Sequence, residues 1–157
     1  MTVTGIDHAG LSVADLDRSL AFYEGLLGLP LAGIARDESA DIAAIVGHPG
    51  TRVRTADLML PGGGVLELLQ YEHPAGEPVQ ASHTQPGTAH VALGVRDLAG
   101  LRARLVAAGA DIVSERPVTL HTGDDWNGAT VLYVRDPDRN VIELIERPAS
   151  SSGSGSP

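Results

Sequence analysis

Short alternating apolar runs and helical stripes succeed one another along this chain, and the order in which they do so occurs twice. Val3 to Val13 reads as a strand interrupted by Asp7, His8 and Ser12, because strand side chains alternate with period two. Asp15 stands as an N-cap ahead of Leu16, Leu20, Tyr23 and Leu27 at helical spacing, and Gly28 marks the stop. Leu29 to Ile34 predicts a second strand. Asp41 is expected to cap a short helix through Ile42, Ile45 and Val46, closed by Gly47. Thr51 to Leu60 and Val65 to Tyr71 form a hairpin about the turn Pro61-Gly62-Gly63-Gly64.

After a Pro- and Gly-bearing linker over 72–87 the order starts again. Thr88 to Val95 predicts a strand, and Asp97 an N-cap. Leu98, Leu101 and Leu105 give a helical stripe that Gly109 ends, and Ala110 to Glu115 a strand. A polar loop holds His121, Gly123, Asp124 and Asp125. Thr130 to Val134 then leads through Asp136-Pro137-Asp138-Arg139-Asn140 into the last strand, Val141 to Ile145.

The repetition holds residue by residue. His8-x-x-Leu11-x-Val13-x-Asp15-Leu16 matches His90-x-x-Leu93-x-Val95-x-Asp97-Leu98. Pro61-x-x-x-Val65-Leu66-Glu67-Leu68-Leu69 matches Pro137-x-x-x-Val141-Ile142-Glu143-Leu144-Ile145. Two ungapped matches in the same order point to a duplicated βαβββ unit. The modules are 1–71 and 88–147, and the Ser/Gly-rich end at 148–157 reads as a disordered tail.

Composition narrows the chemistry. The formal charge of −9 argues against a nucleic-acid partner. With no cysteine, thiolate metal sites and Cys nucleophiles are excluded. No signal peptide and no membrane-spanning run is visible, so a cytoplasmic protein without a membrane partner is expected.

The repeat singles out His8 and Glu67 in one half, and His90 and Glu143 in the other. A lone His or Glu on a strand is more often an ordinary, half-exposed residue. That reading holds for His48, His73, His83 and His121, although the loop of His121 is a candidate pocket border. It does not explain why both residue types recur at matched positions. An unpaired carboxylate among Val and Ile is costly to bury, and two imidazoles with two carboxylates make a four-ligand set for a divalent cation.

These residues, with Phe22-Tyr23, Leu27-Gly28-Leu29 and Asp136-Pro137-Asp138-x-Asn140-x-x-Glu143, resemble the vicinal oxygen chelate superfamily. That superfamily includes glyoxalase I, methylmalonyl-CoA epimerase, extradiol dioxygenases and antibiotic-resistance proteins. The resemblance runs from about Val3 to Arg147. It implies an α+β fold in which two βαβββ modules form a cupped, mostly antiparallel eight-stranded sheet around a metal site. It carries His8, Glu67, His90 and Glu143 over as ligands of one divalent ion, Zn, Ni, Co, Fe or Mn. One departure is Arg139, where the family often has Gly. Arg139 or Asn140 must then accept the turn geometry, and Asn is the more tolerant.

The implied activity is that of a metal-dependent lyase or isomerase/epimerase. It abstracts a proton next to a metal-bound carbonyl or hydroxyketone of a small molecule, with Glu143 as principal base and Glu67 as its partner. Alternatives of the same fold are a small-molecule (antibiotic) binding or resistance protein and an extradiol-type dioxygenase. Glu67 disfavours the dioxygenase, whose site resembles two His and one carboxylate. It also differs from the Gln usual in methylmalonyl-CoA epimerases. Candidate substrate-pocket residues are Arg52, Arg54, His121, Trp126, Asn127 and Tyr133, and the irregular segment 37–47 is a candidate lid. Relatives pair modules within one chain or across a dimer, and a homodimer is expected because small sheets need their edges covered.

Overall fold

The computed structural model describes residues 2–79 and 82–148; the tail from residue 149 lies outside them. Its elements are β1 (His8–Ser12), α1 (Leu16–Leu20) continued by a π-helical segment (Ala21–Leu26), β2 (Leu31–Asp37), α2 (Ala40–Val46), β3 (Arg52–Met59) and β4 (Val65–His73). There follow β5 (His90–Gly94), α3 (Leu98–Ala107), β6 (Asp111–Ile112), β7 (Val118–Thr119), β8 (Thr130–Arg135) and β9 (Val141–Glu146). The fold is α+β, with nine strands in two mixed sheets.

Two compact units result among the described residues: 2–79 and 82–88 with 136–140, and 89–135 with 141–148. In the first, the strand order is β1-β4-β3-β2. In the second it is β5-β9-β8-β6, with β7 also on β8. The first strand of each unit runs parallel to the last, and the other pairs are antiparallel.

The ninth strand does not disturb the repeat. β6 and β7 pair with opposite ends of β8, Asp111↔Arg135 and Ile112↔Val134 at one end, Val118↔Val131 and Thr119↔Thr130 at the other. They are two halves of one edge strand. Between them the chain bulges: Val113 and Ser114 N–H both point to the Tyr133 carbonyl, and Pro117 has no N–H to offer the ladder. The strand expected over 110–115 is therefore shortened and resumes after Pro117.

Other boundaries move for local reasons. β1 begins only at His8, not at Val3, because its partner β4 begins at Val65, directly opposite His8. β2 runs Leu31–Asp37 rather than Leu29 to Ile34. Ser39, not Asp41, caps α2, its side chain accepting from Ile42 N–H, while Gly47 closes it in the left-handed conformation at φ 77°. β4 continues through Glu72 and His73, which pairs with Arg52. The first helix widens after Leu20, with Leu27 N–H bonding to the Phe22 carbonyl five residues back. Consecutive Phe22 and Tyr23 are both buried, edge to face at 5.1 Å.

Helix entry uses the same two acceptor positions in both units, although the Asp15 backbone is extended and that of Asp97 is left-handed at φ 55°. Asp15 accepts from Arg18 N–H and Asp97 from Gly100 N–H. A second acceptor comes from the last strand, three residues after the repeated glutamate: Gln70 takes Leu16 N–H, and Glu146 takes the N–H groups of Asp97 and Leu98. The apolar faces these helices cover include Leu58, Leu66 and Leu68 in the first unit and Leu132, Ile142 and Leu144 in the second, all fully buried.

The turn 136–140 groups with the first unit. Asp136 is 3% exposed, and its carboxylate accepts four hydrogen bonds. Oδ1 takes the N–H groups of Asp138 and Asn140; Oδ2 takes Tyr23 Oη–H and Asn140 Nδ2–H. Asn140 also accepts from Asp136 N–H through its carbonyl. Held on three sides, Asn140 leaves the turn's left-handed position to Arg139, at φ 71°.

Candidate metal and substrate site

Strand register brings each repeated His to its Glu. In the parallel pair β1–β4, His8 lies opposite Val65 and Gly10 opposite Glu67. In β5–β9, His90 lies opposite Val141 and Ala92 opposite Glu143. Each histidine is thus the diagonal neighbour of its glutamate on the same sheet face, within reach of long side chains. His8 Nε2 is 3.5 Å from Glu67 Oε2, and His90 Nε2 is 3.0 Å from Glu143 Oε2. The residue directly opposite each glutamate is small, which keeps the diagonal open. A Cβ on Gly10 would already sit 3.2 Å from Leu69 Cδ1 and 4.0 Å from Glu67 Oε2.

Within each unit the fold assembles a pair. Among the described residues no group of three or more His, Cys, Asp or Glu side chains gathers to hold a metal ion. The donor chemistry of the first pair nevertheless suits a cation. His8 Nδ1 is 2.9 Å from Asp7 Oδ1. An ionised carboxylate only accepts, so the proton in that contact belongs to Nδ1. In neutral imidazole Nε2 then carries a bare lone pair, and it faces a carboxylate oxygen. Two electron-pair donors converging on one point are stabilised by a cation there. At acid pH a proton takes that place, and the hydrogen bond to Asp7, foremost, with the charge of Glu67 raises the His8 pKa above its usual value.

The partner across the antiparallel ladder differs between units. Glu67 faces Asp57, whereas Glu143 faces Tyr133. The Tyr133 ring also lies 5.6 Å from that of His90, and burial followed by the Glu143 charge raises its pKa. Tyr133 is thus beside the second pair. Asp57 was not among the residues the sequence singled out. Counting outward from the tight turn finds it: with Met59 opposite Val65, residue 57 must face 67.

The remaining candidates lie elsewhere. Arg54 pairs with Gln70, on the sheet face opposite Glu67, and its guanidinium meets Asp17 at 3.3 Å and Gln70 Oε1 at 3.4 Å. It lies on the α1 side of the sheet. Arg52 is exposed at the start of β3. His121, Trp126 and Asn127 occupy the β7–β8 loop. Trp126 packs under the Arg147 guanidinium at 4.4 Å, and Asn127 N–H bonds the Asp124 carbonyl. That loop enters β8 at Thr130, opposite Glu146, whereas Glu143 is reached three pairs further along.

Repeated βαβββ units that each set a His–Glu pair at the same strand register define a duplicated α+β protein. The model of the Glyoxalase/Bleomycin resistance protein/Dioxygenase superfamily matches residues 5–144, and the chain belongs to that superfamily. It is 31% identical over 153 residues to the lactoylglutathione lyase of Haemophilus influenzae, covering 94% of this chain and 96% of the relative. A probable lactoylglutathione lyase of Synechocystis is 32% identical over 141 residues, covering 88% and 92%. Among solved structures, a glyoxalase family protein from Bacillus cereus superposes with a TM-score of 0.81 at 24% identity, covering 95% and 97%. The fosfomycin resistance protein of Listeria monocytogenes, solved with Mn(II) and sulfate, does so with a TM-score of 0.62 at 16% identity, covering 94% and 95%. No helix among the described residues is long and apolar enough to cross a membrane.

Proposed function

We propose that His8, Glu67, His90 and Glu143 together hold one divalent metal ion, two ligands from each module, in an enzyme that moves a proton beside a carbonyl of a small-molecule substrate. The observation that carries this reading is the identical diagonal His–Glu pair in both units. One copy is readily an ordinary ion pair; the same pair at the same register, with a small residue held open beside it twice, asks for a shared purpose. A divalent ion in such a mixed N/O set leaves positions for substrate oxygens and supplies Lewis acidity to a bound carbonyl.

The chain's own groups then do the proton work. Glu143 removes the proton from the carbon next to the carbonyl and returns it to the neighbouring carbon or the other face. Glu67 is its partner. Tyr133, across the ladder from Glu143, orients the substrate at that base and limits water around it. The relatives named lactoylglutathione lyase, similar over nearly the whole chain, make the adduct of glutathione with a 2-oxoaldehyde the first substrate to try. Hydroxyketones and 2-substituted acyl thioesters follow. The protein acts in the cytoplasm as a homodimer, an assembly that would cover the exposed edge strand β2.

Substrate C–H exchange in deuterated water, followed by NMR with metal-loaded protein, tests this. Exchange is expected with the wild type and is lost with Glu143→Gln. Exchange that persists in both Glu143→Gln and Glu67→Gln removes these residues as bases. Saturable binding of antibiotics without turnover would instead favour a resistance protein, and oxygen uptake with catechols a dioxygenase.

A further inference from the structure

The two histidines are chemically matched but not equally prepared. Asp7 immediately precedes His8 and its carboxylate lies 2.9 Å from Nδ1. At the matching position before His90 stands Ala89, which offers no acceptor. His90 has the Tyr133 ring beside it instead.

We infer that Asp7 is a positioning residue that locks His8 in the Nδ1–H tautomer and aims its bare Nε2 at the point shared with Glu67, while His90 enters the site without such a lock. The inference rests on the metal reading of the site only for its consequence, not for the tautomer itself. Ring orientation follows from the geometry: the Nδ1 contact to Asp7 and the Nε2 approach to Glu67 at 3.5 Å lie on opposite edges of one imidazole. Fixing one edge points the other. A carboxylate behind a ligating imidazole fixes tautomer and ring orientation and raises the basicity of the ligating nitrogen. Both Asp7 and Ala89 are solvent-exposed, so either can be exchanged without touching the core. The duplicated module therefore carries one pre-oriented histidine and one that metal binding must orient.

The test uses metal-free, ¹⁵N-labelled full-length protein and long-range imidazole ¹H–¹⁵N correlation spectra recorded above the titration of the histidines. His8 is expected as the Nδ1–H tautomer in the wild type, moving toward Nε2–H in Asp7→Ala. Ala89→Asp is expected to convert His90 to the Nδ1–H form. Competition with a chromophoric chelator then measures cobalt(II) affinity, which Asp7→Ala should weaken about tenfold. A His8 tautomer that ignores the loss of Asp7 overturns the inference, whatever metal binds. A tautomer that follows Asp7 in a protein that never binds cobalt(II) keeps the positioning role and overturns the metal reading instead. Unaltered affinity despite an altered tautomer overturns the proposed consequence for the metal.

Discussion

Tyr23 donates its hydroxyl to the carboxylate of Asp136 at 2.9 Å, across 113 residues of sequence. The phenol belongs to the widened first helix and is fully buried. The carboxylate begins the turn that leads into β9, two residues before Val141 comes Arg139, and Glu143 follows on that strand. Four hydrogen bonds hold this carboxylate in place. Tyr23→Phe removes one of four donors to a buried carboxylate and should destabilise the protein by about 2 kcal/mol. Chemical denaturation with unchanged slope measures it; a loss within a few tenths of a kcal/mol would mean water or Asn140 compensates.

The same carboxylate predicts a pH effect. Burial, the largest influence, lifts the Asp136 pKa above its ordinary value against the pull of its hydrogen bonds. The folded state then holds this proton more tightly than the unfolded chain does. Its contribution to stability is therefore present below the unfolded carboxylate range, is lost as pH rises through the folded pKa, and stays flat above it. Melting temperature against pH, wild type minus Asp136→Asn, should fall across that acid window. A difference rising with pH would show that the hydrogen bonds outweigh burial.

Arg139 stands at φ 71°, a conformation that costs an L-residue about 1–2 kcal/mol. Gly relieves that strain but gains freedom in the unfolded chain, returning about 0.5–1 kcal/mol. Arg139→Gly should therefore stabilise the protein by roughly 0.5–1 kcal/mol, read as a higher denaturation midpoint. A lower midpoint would show that the arginine side chain contributes more than its backbone costs.

Gly10 keeps open the diagonal between His8 and Glu67, and its counterpart Ala92 shows that one methyl is accommodated opposite Glu143. Gly10→Ala should leave cobalt(II) affinity near that of the wild type, with Leu69 giving way slightly. Gly10→Val crowds the Glu67 carboxylate and should weaken affinity by about tenfold or more without unfolding the sheet. Equal affinities for the two variants would show that Glu67 does not depend on this gap.

Much of the arrangement is legible in the chain because it is local or periodic. The Asp15 and Asp97 caps, the Leu stripes and the hairpin turn at 61–64 are short-range signals, and the ungapped recurrence of the His8 and Pro61 segments at His90 and Pro137 marks the duplication. Once the modules are aligned, the shared register of His8 with Glu67 and of His90 with Glu143 follows. What was not legible depends on partners distant in sequence. β1 starts at His8 because β4 starts at Val65. The edge strand over 111–119 is broken where Pro117 fails the ladder, and a bulge's size is set by the strand beside it. The contact of Arg54 with Asp17 is not legible either, because period two alone does not say which face of β3 carries the helix. Tyr23 and Asp136 each stand in a motif visible in the chain, but only tertiary folding joins them.

We propose that the two His–Glu pairs share one divalent ion. Elemental analysis of purified, tag-free protein by plasma mass spectrometry, after dialysis against metal-free buffer, measures it most directly. One Zn, Ni, Co, Fe or Mn per set of His8, Glu67, His90 and Glu143 is predicted, reduced well below stoichiometry in both His8→Ala and His90→Ala. Absence of a stoichiometric divalent ion after loading with each metal, or retention of the full complement in both histidine variants, would show that the two pairs hold no shared ion.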